Sequence, residues 1–333
     1  TLNNMSKIAF RMTAGTHVGC VRTNNEDNFI INEDLSQSDW FLPQDTTQTI
    51  DMGKNGCVLV VADGMGGLNA GEVASDIAIN TVKQSFMDAD LDKIGRSEKS
   101  IEKFMCDVVV KADAIIKKHV EANPSTQGMG TTLIFVWILD NIAHLAWCGD
   151  SRAYIYNKEK GLIRFSKDHS YVQQLVDEGK LDEDLAFDHP DSNIITRCLG
   201  DFPDKANPEF KSYKLCVGDF IIVCSDGLCG VCRDNEILSV MQTENLTIEE
   251  YKHKLIQTAL DAGGYDNVTI AMFETVSVEV NDGFQKTVTL NPITDNLSYA
   301  DSNASNKKML ALFFGIIFLL AVIVFCCVKF VLK

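Results

Sequence analysis

The stretch Cys57–Gly67, CVLVVADGMGG, sets the tightest limit on what the chain can fold into. Its first six residues are apolar and valine-rich, and the run stops at Asp63, which reads as a buried strand delivering one carboxylate to a turn. The glycines at Gly64, Gly66 and Gly67 let the backbone take positive φ and come close to a bound group. Main-chain carbonyls beside Asp63 could then join its carboxylate around a hard cation. A single Asp-Gly is also ordinary turn chemistry, so the rest of the chain has to decide.

The same device recurs. Phe220–Ser225 is an apolar strand ending in Asp226-Gly227, and Ala146–Gly149 ends in Asp150-Ser151. Two strands run the other way, with Glu26-Asp27 leading into Phe29–Ile31 and Asp266-Asn267 leading into Val268–Phe273. Five strand ends thus present carboxylates beside strongly apolar segments, where an uncompensated charge is costly unless paired or coordinated. Asp282-Gly283 is the contrast, a hairpin turn between polar alternating segments. Donors that are oxygen only point to Mg²⁺ or Mn²⁺ instead of zinc or copper, and so many acids suggest more than one ion. Two ions about 3.5–4 Å apart clamp a phosphoryl group and ionise a water between them. Arg22, four residues before Glu26, can lay its planar fork on phosphate oxygens. There is no G-x-x-x-x-G-K-[ST] loop and no Cys followed six residues later by Arg. Cys229 and Cys232 form an isolated C-x-x-C without a second pair to complete a zinc set.

Helical spacing over Ala70–Phe86, Ile101–Val120, Asp234–Gln242 and Thr247–Ala262 is interleaved with strand patterns. These are Ile8–Arg11, Asn28–Asn32, Cys57–Ala62, Thr131–Leu139, Ile142–Cys148, Ala153–Tyr156, Tyr213–Cys216, Phe220–Cys224 and Val268–Phe273. Asp168–Asp188 is expected to hold two short helical pieces. Runs of strands with pairs of helices predict an α+β layered domain built on antiparallel sheet. Thr275–Val280 and Phe284–Leu290 are expected to form a terminal hairpin, followed by a polar tether over Asn291–Lys308. Met309–Val328 is an uninterrupted apolar run bracketed by lysines, long enough to span a bilayer core of ~30 Å. Thr1–Gly15 shows no secretory signal pattern. A net charge of -16 argues against a nucleic-acid surface, and eleven scattered cysteines, several inside apolar runs, suggest a reducing compartment.

Taken in order, RTNNED at Arg22–Asp27, VVADGMGG, GMGTT at Gly128–Thr132, GDSRAY at Gly149–Tyr154, DHS at Asp168–Ser170, NIITRCLG at Asn193–Gly200, SDGL at Ser225–Leu228 and DNVT at Asp266–Thr269 resemble the metal-dependent serine/threonine protein phosphatases of the PPM, or phosphatase 2C, type. The likeness runs from about Ile8 to Glu274, and its segment from Asp168 to Gly200 looks most like the flap of bacterial members. It implies a four-layer α-β-β-α sandwich, two stacked antiparallel sheets flanked by helices. It implies Mn²⁺ or Mg²⁺, two core ions and a third: Asp63 bridges two, the Gly64 carbonyl lies on the second, Asp226 and Asp266 hold the first, Glu26 and Asp27 surround the second, and Asp150 serves a weaker third. Arg22 would bind the substrate phosphate, and a hydroxide bridging the ions would attack it.

Many eukaryotic members carry His where this chain has Met65, which cannot donate a proton. His169 is the nearest substitute in the motifs, and water is the preferred acid. The expected organisation is a catalytic domain over 1–275, hairpin and tether over 276–308, a transmembrane helix over 309–328 and a short basic tail over 329–333. Expected partners are phosphoproteins, a Ser/Thr kinase and its substrates, and the cytoplasmic membrane through the carboxy-terminal helix, with the catalytic domain in the cytoplasm. Two alternatives stay open at this point: a catalytically weak module of the same fold that senses phosphoprotein or metal, and a phosphatase of small molecules.

Overall fold

The apolar runs bury both of their faces, and that requirement builds the layers. In the computed structural model, which describes residues 7–37, 40, 48–66, 70–200 and 206–279, Cys57, Leu59 and Val61 enter a core between two sheets, whereas Val58, Val60 and Ala62 face a helical layer. Leu133–Leu139 divides the same way, with Ile134, Val136 and Ile138 inward and Leu133, Phe135 and Trp137 toward the helices. Strands covered on both faces need continuous apolar sequence, which is why these segments do not alternate with polar residues.

One sheet has five strands in the order Glu209–Lys214, Ile142–Cys148, Leu133–Leu139, Cys57–Ala62 and Asn28–Asn32. The other has six, in the order Gly161–Arg164, Arg152–Asn157, Phe220–Cys224, Val268–Glu279, Lys7–His17 and Ile50–Asp51. All these pairings are antiparallel. Helices Gly71–Asp88 and Glu98–Ala122 cover the five-stranded sheet, and Asp234–Met241 and Ile248–Asp261 cover the six-stranded one, completing a four-layer α-β-β-α sandwich.

Each helix follows from its pattern. Ile101, Met105, Val108, Val109, Ala112 and Ile116 recur three and four apart and are buried, and Ser97 caps the start by accepting from the Ser100 amide. Thr247 and Glu250 form a reciprocal capping box at the start of Ile248–Asp261. Phe86 meets Phe104, Phe135 and Trp137 edge to face between helix and sheet, so its loss to alanine should cost about 3–5 kcal/mol.

Several expectations are corrected. The last strand does not stop at Phe273; Thr275–Glu279 continues it and pairs with the first strand, past a bulge beside Ala9 and Phe10. The first arm of the expected hairpin is therefore part of the six-stranded sheet, and its second arm lies outside the described residues. The strand expected at Tyr213–Cys216 is centred earlier, on Glu209–Lys214. Cys216–Asp219 is instead a turn, in which the Cys216 amide donates to Asp219 Oδ2 at 2.7 Å and Gly218 takes φ 79°. Thr131 leaves the long strand to join a small sheet of Gly64–Met65, Gly130–Thr131 and Leu199–Gly200. Among the described residues no helix is long and apolar enough to cross a membrane; Met309–Val328 and the preceding tether lie outside them.

Candidate active site

Strand register gathers all five acidic strand ends on one rim. Asn28 pairs with Ala62, which puts Asp27 and Asp63 side by side just beyond the five-stranded sheet. Cys224 pairs with both Arg152 and Ile270, which places Asp150, Asp226 and Asp266 just beyond the six-stranded one. Ser225 ties the two groups together: its hydroxyl donates to Asp27 Oδ2 at 2.7 Å and accepts from the Thr269 amide at 3.0 Å.

The backbone around Asp63 is clamped. Its amide donates to Thr132 Oγ1 at 3.0 Å, and its carbonyl accepts from Thr131 Oγ1 and the Thr132 amide at 2.8 Å each. The threonines of GMGTT thus fix the carboxylate's base. Gly64 is required by close approach alone, since a Cβ there would fall 2.4 Å from the Glu26 carbonyl oxygen and 2.3 Å from that of Gly71. Neither Gly64 nor Gly66 takes the left-handed conformation expected from sequence. Asn267 staples the loop before Glu26: Oδ1 accepts from the Glu26 amide at 2.8 Å, and Nδ2 donates to the Val18 and Asn24 carbonyls at 2.9 Å.

The acids repel one another. Burial first, then the charges of Asp226, Asp27 and Asp150, push Asp63 well above the ordinary carboxylate range, and its carboxyl is close enough to Asp226 to share a hydrogen bond. Burial together with Asp226 and Asp266 raises Asp27 to about 8, against the stabilising hydroxyls of Thr269 and Ser225. Asp226 and Glu26 are raised chiefly by burial. Asp150, 8% exposed, is raised by burial and by Asp226, and its Oδ1 has no hydrogen-bond partner.

Two further residues frame the rim. Arg22 Nη2 lies 2.8 Å from Asp266 Oδ2 at the surface, so the expected phosphate-binding fork and one expected metal ligand are paired with each other. Arg152 is sunk beside Asp150 and grips Asp168 through three contacts of 2.6–3.0 Å, with Tyr154 and Asp234 behind it. Sequence reasoning gave Arg152, Ser225, Asn267 and the two threonines no role. They stood inside the quoted motifs, but their partners are remote in sequence.

His169 is committed elsewhere. Its Nδ1 accepts from the Gly149 amide at 3.1 Å, which leaves the proton on Nε2 to donate to Glu209 at 3.2 Å, and the ring stacks on Trp147. Burial and then Arg197 hold its basicity below the usual range. It is a structural histidine. Met65 pairs with Gly130 in the small sheet.

Among the described residues no group of three or more His, Cys, Asp or Glu side chains is arranged to hold one ion unaided. The donor set nevertheless fits a hard dication: it is all oxygen, it is mutually repulsive, and it includes the unpartnered Asp150 oxygen. Residues 41–261 match the family model of protein phosphatase 2C. The chain belongs to the protein phosphatase 2C family. As a member of that family it is 33% identical over 273 residues to the serine/threonine protein phosphatase PstP of Mycobacterium tuberculosis; the match takes in 82% of this chain but 46% of that protein, under half its length. It is 31% identical over 257 residues to the protein phosphatase PhpP of Streptococcus pneumoniae, across 77% of this chain and 94% of that one. Among solved structures, the catalytic domain of PstP in complex with two manganese ions is 30% identical, with a TM-score of 0.64, over 81% of this chain and 100% of that chain.

Proposed function

We propose that this phosphatase 2C chain is a Mn²⁺- or Mg²⁺-dependent protein-serine/threonine phosphatase that opposes a Ser/Thr kinase. The observation that carries the reading is the convergence of five acidic strand ends whose charges destabilise one another, an arrangement that bound cations would relieve. Asp63, the Gly64 carbonyl, Asp226, Asp266, Glu26 and Asp27 would hold two ions, and Asp150 a third. Bound there, the ions supply the charge that ionises a water and neutralises phosphoryl oxygens.

The chain's own residues do the remainder. Arg22, with its side chain about half exposed at the rim, swings its fork from Asp266 to the substrate phosphate and orients it. Thr131 and Thr132 keep the Asp63 carboxylate in place, and Ser225 holds Asp27 against the sheet opposite. Among the described residues no side chain is set as a nucleophile, so water attacks directly and no covalent phosphoenzyme forms. We place the chain at a membrane, anchored through Met309–Val328, on the strength of that apolar run and its polar tether, and its catalytic domain on the cytoplasmic side because the scattered cysteines suit a reducing compartment and its proposed substrates are made by kinases there.

The test is release of inorganic phosphate from phosphoserine and phosphothreonine peptides with Mn²⁺ and with excess chelator. Turnover with Mn²⁺ that the chelator abolishes is expected. Binding of the peptides without turnover at any Mn²⁺ concentration would replace this reading by a sensing module, and turnover of nucleotides alone would replace it by a small-molecule phosphatase.

A further inference from the structure

Two large apolar side chains stand in solvent on the segments that carry the Arg22–Asp266 pair. Tyr265 is 64% exposed and Val21 is 61% exposed, each the immediate neighbour of one member of that pair. They lie on chain segments that run alongside each other, because the Cys20 amide donates to the Gly264 carbonyl at 2.7 Å and Asn267 Nδ2 clamps Val18 and Asn24. Gly263 takes φ +122°, and a Cβ there would fall 2.4 Å from the Tyr265 ring, so the ring lies directly against bare glycine backbone. The backbone that presents this exposed tyrosine is stapled, so little main-chain freedom is left to lose on binding.

We propose that Tyr265 and Val21 form a docking platform for an apolar side chain one or two residues from the phosphorylated residue of a substrate polypeptide, so that this chain selects its substrates partly by an apolar neighbour. The proposal rests on the phosphatase function given above. An extended chain advances about 3.3 Å per residue, so a phosphate held on Arg22 brings the flanking side chains across this patch.

The experiment compares two phosphoserine peptides, one with leucine or phenylalanine flanking the phosphoserine and one with glycine there, on the full chain in mild detergent with Mn²⁺. The unaltered chain is expected to favour the apolar peptide about 5- to 10-fold in kcat/KM, mainly through KM. Tyr265→Ala should bring the two peptides to near equality and Val21→Ser should narrow the gap, while Tyr265→Phe should keep it. Equal kcat/KM for both peptides on the unaltered chain, or a preference that survives Tyr265→Ala, overturns the platform and leaves the phosphatase function standing. Failure to hydrolyse either peptide, or p-nitrophenyl phosphate, overturns both.

Discussion

Gly227 is the position where the smallest change should do most damage to the rim. A Cβ built there falls 1.8 Å from the Asn267 carbonyl oxygen and 2.7 Å from its carbonyl carbon, both backbone atoms that no side-chain rotation can clear. Restoring an ordinary carbon–oxygen separation of roughly 3.3 Å in a close-packed interior requires a shift of about 1.5 Å between the Asp226 turn and the Asp266-Asn267 turn. Those turns carry two of the acids assigned to one ion, and Asn267 holds the loop that bears Arg22 and Glu26. A misplacement near 1 Å costs on the order of 10²-fold in rate, and overpacking costs about 1–3 kcal/mol, or roughly 2–12 °C in melting temperature for a domain of this size. Gly227→Ala should therefore lower kcat for phosphopeptide by about 10²-fold and the melting temperature by several degrees. Gly218→Ala is the control. It lies at the other end of the same strand, takes φ 79°, and would meet nothing closer than 3.8 Å, so it should cost about 1 kcal/mol of backbone strain and leave kcat within about twofold. A Gly227→Ala protein with nearly unaltered turnover and melting temperature would refute the close approach on which this reasoning depends.

Further outcomes follow from the same geometry. Asp63→Asn should reduce kcat by about 10²-fold or more, and Asp150→Asn by much less, as steady-state phosphopeptide kinetics at saturating Mn²⁺ would show. The raised folded value of Asp27, about 8 against an ordinary 3.8, means the folded chain holds more protons than the unfolded chain between those values. Stability in chelator should therefore fall as pH rises from about 4 to 8, and Mn²⁺ should restore most at the upper end; a melting temperature that rises over that window in chelator would contradict the assignment. His169→Asn should destabilise the fold by about 1–3 kcal/mol yet slow p-nitrophenyl phosphate and phosphoserine peptide by the same factor. A much larger loss on the peptide, whose leaving group needs a proton, would make His169 the acid. Carbonate extraction should leave the chain in the membrane fraction, with the catalytic domain protected from protease added outside intact cells.

Much of the fold was legible because burial on two faces forces long apolar runs, and Cys57–Ala62, Ile142–Cys148 and Phe220–Cys224 are the segments the structure shows. Elements of two to four residues, such as Ile50–Asp51 and Gly161–Arg164, are too short for any periodicity to show. Of the strand expected at Tyr213–Cys216, Tyr213 and Lys214 end the observed strand, and Leu215 and Cys216 extend the pattern only because the turn closed by Asp219 begins with apolar residues. At the rim, each Asp announced itself by ending or starting an apolar strand. The groups that hold those acids did not: Ser225 reaches Asp27 across 198 positions and Asn267 reaches Glu26 across 241, contacts made only by the stacking of the sheets. At Gly64 the positive φ expected from sequence is not adopted, and glycine is required instead by the approach of the Gly71 and Glu26 carbonyls, neither of which the local sequence reveals.

The central claim is that the acidic rim is a cation site on which turnover depends. Calorimetric titration of Mn²⁺ into the unaltered chain and into Asp63→Asn tests it most directly. At least two ions are expected to bind the unaltered chain and tight binding is expected to be lost in the variant, because Asp63, crowded by Asp226, Asp27 and Asp150, is the carboxylate proposed to hold both core ions. No Mn²⁺ binding by the unaltered chain, or the same stoichiometry and affinity in Asp63→Asn, would contradict it.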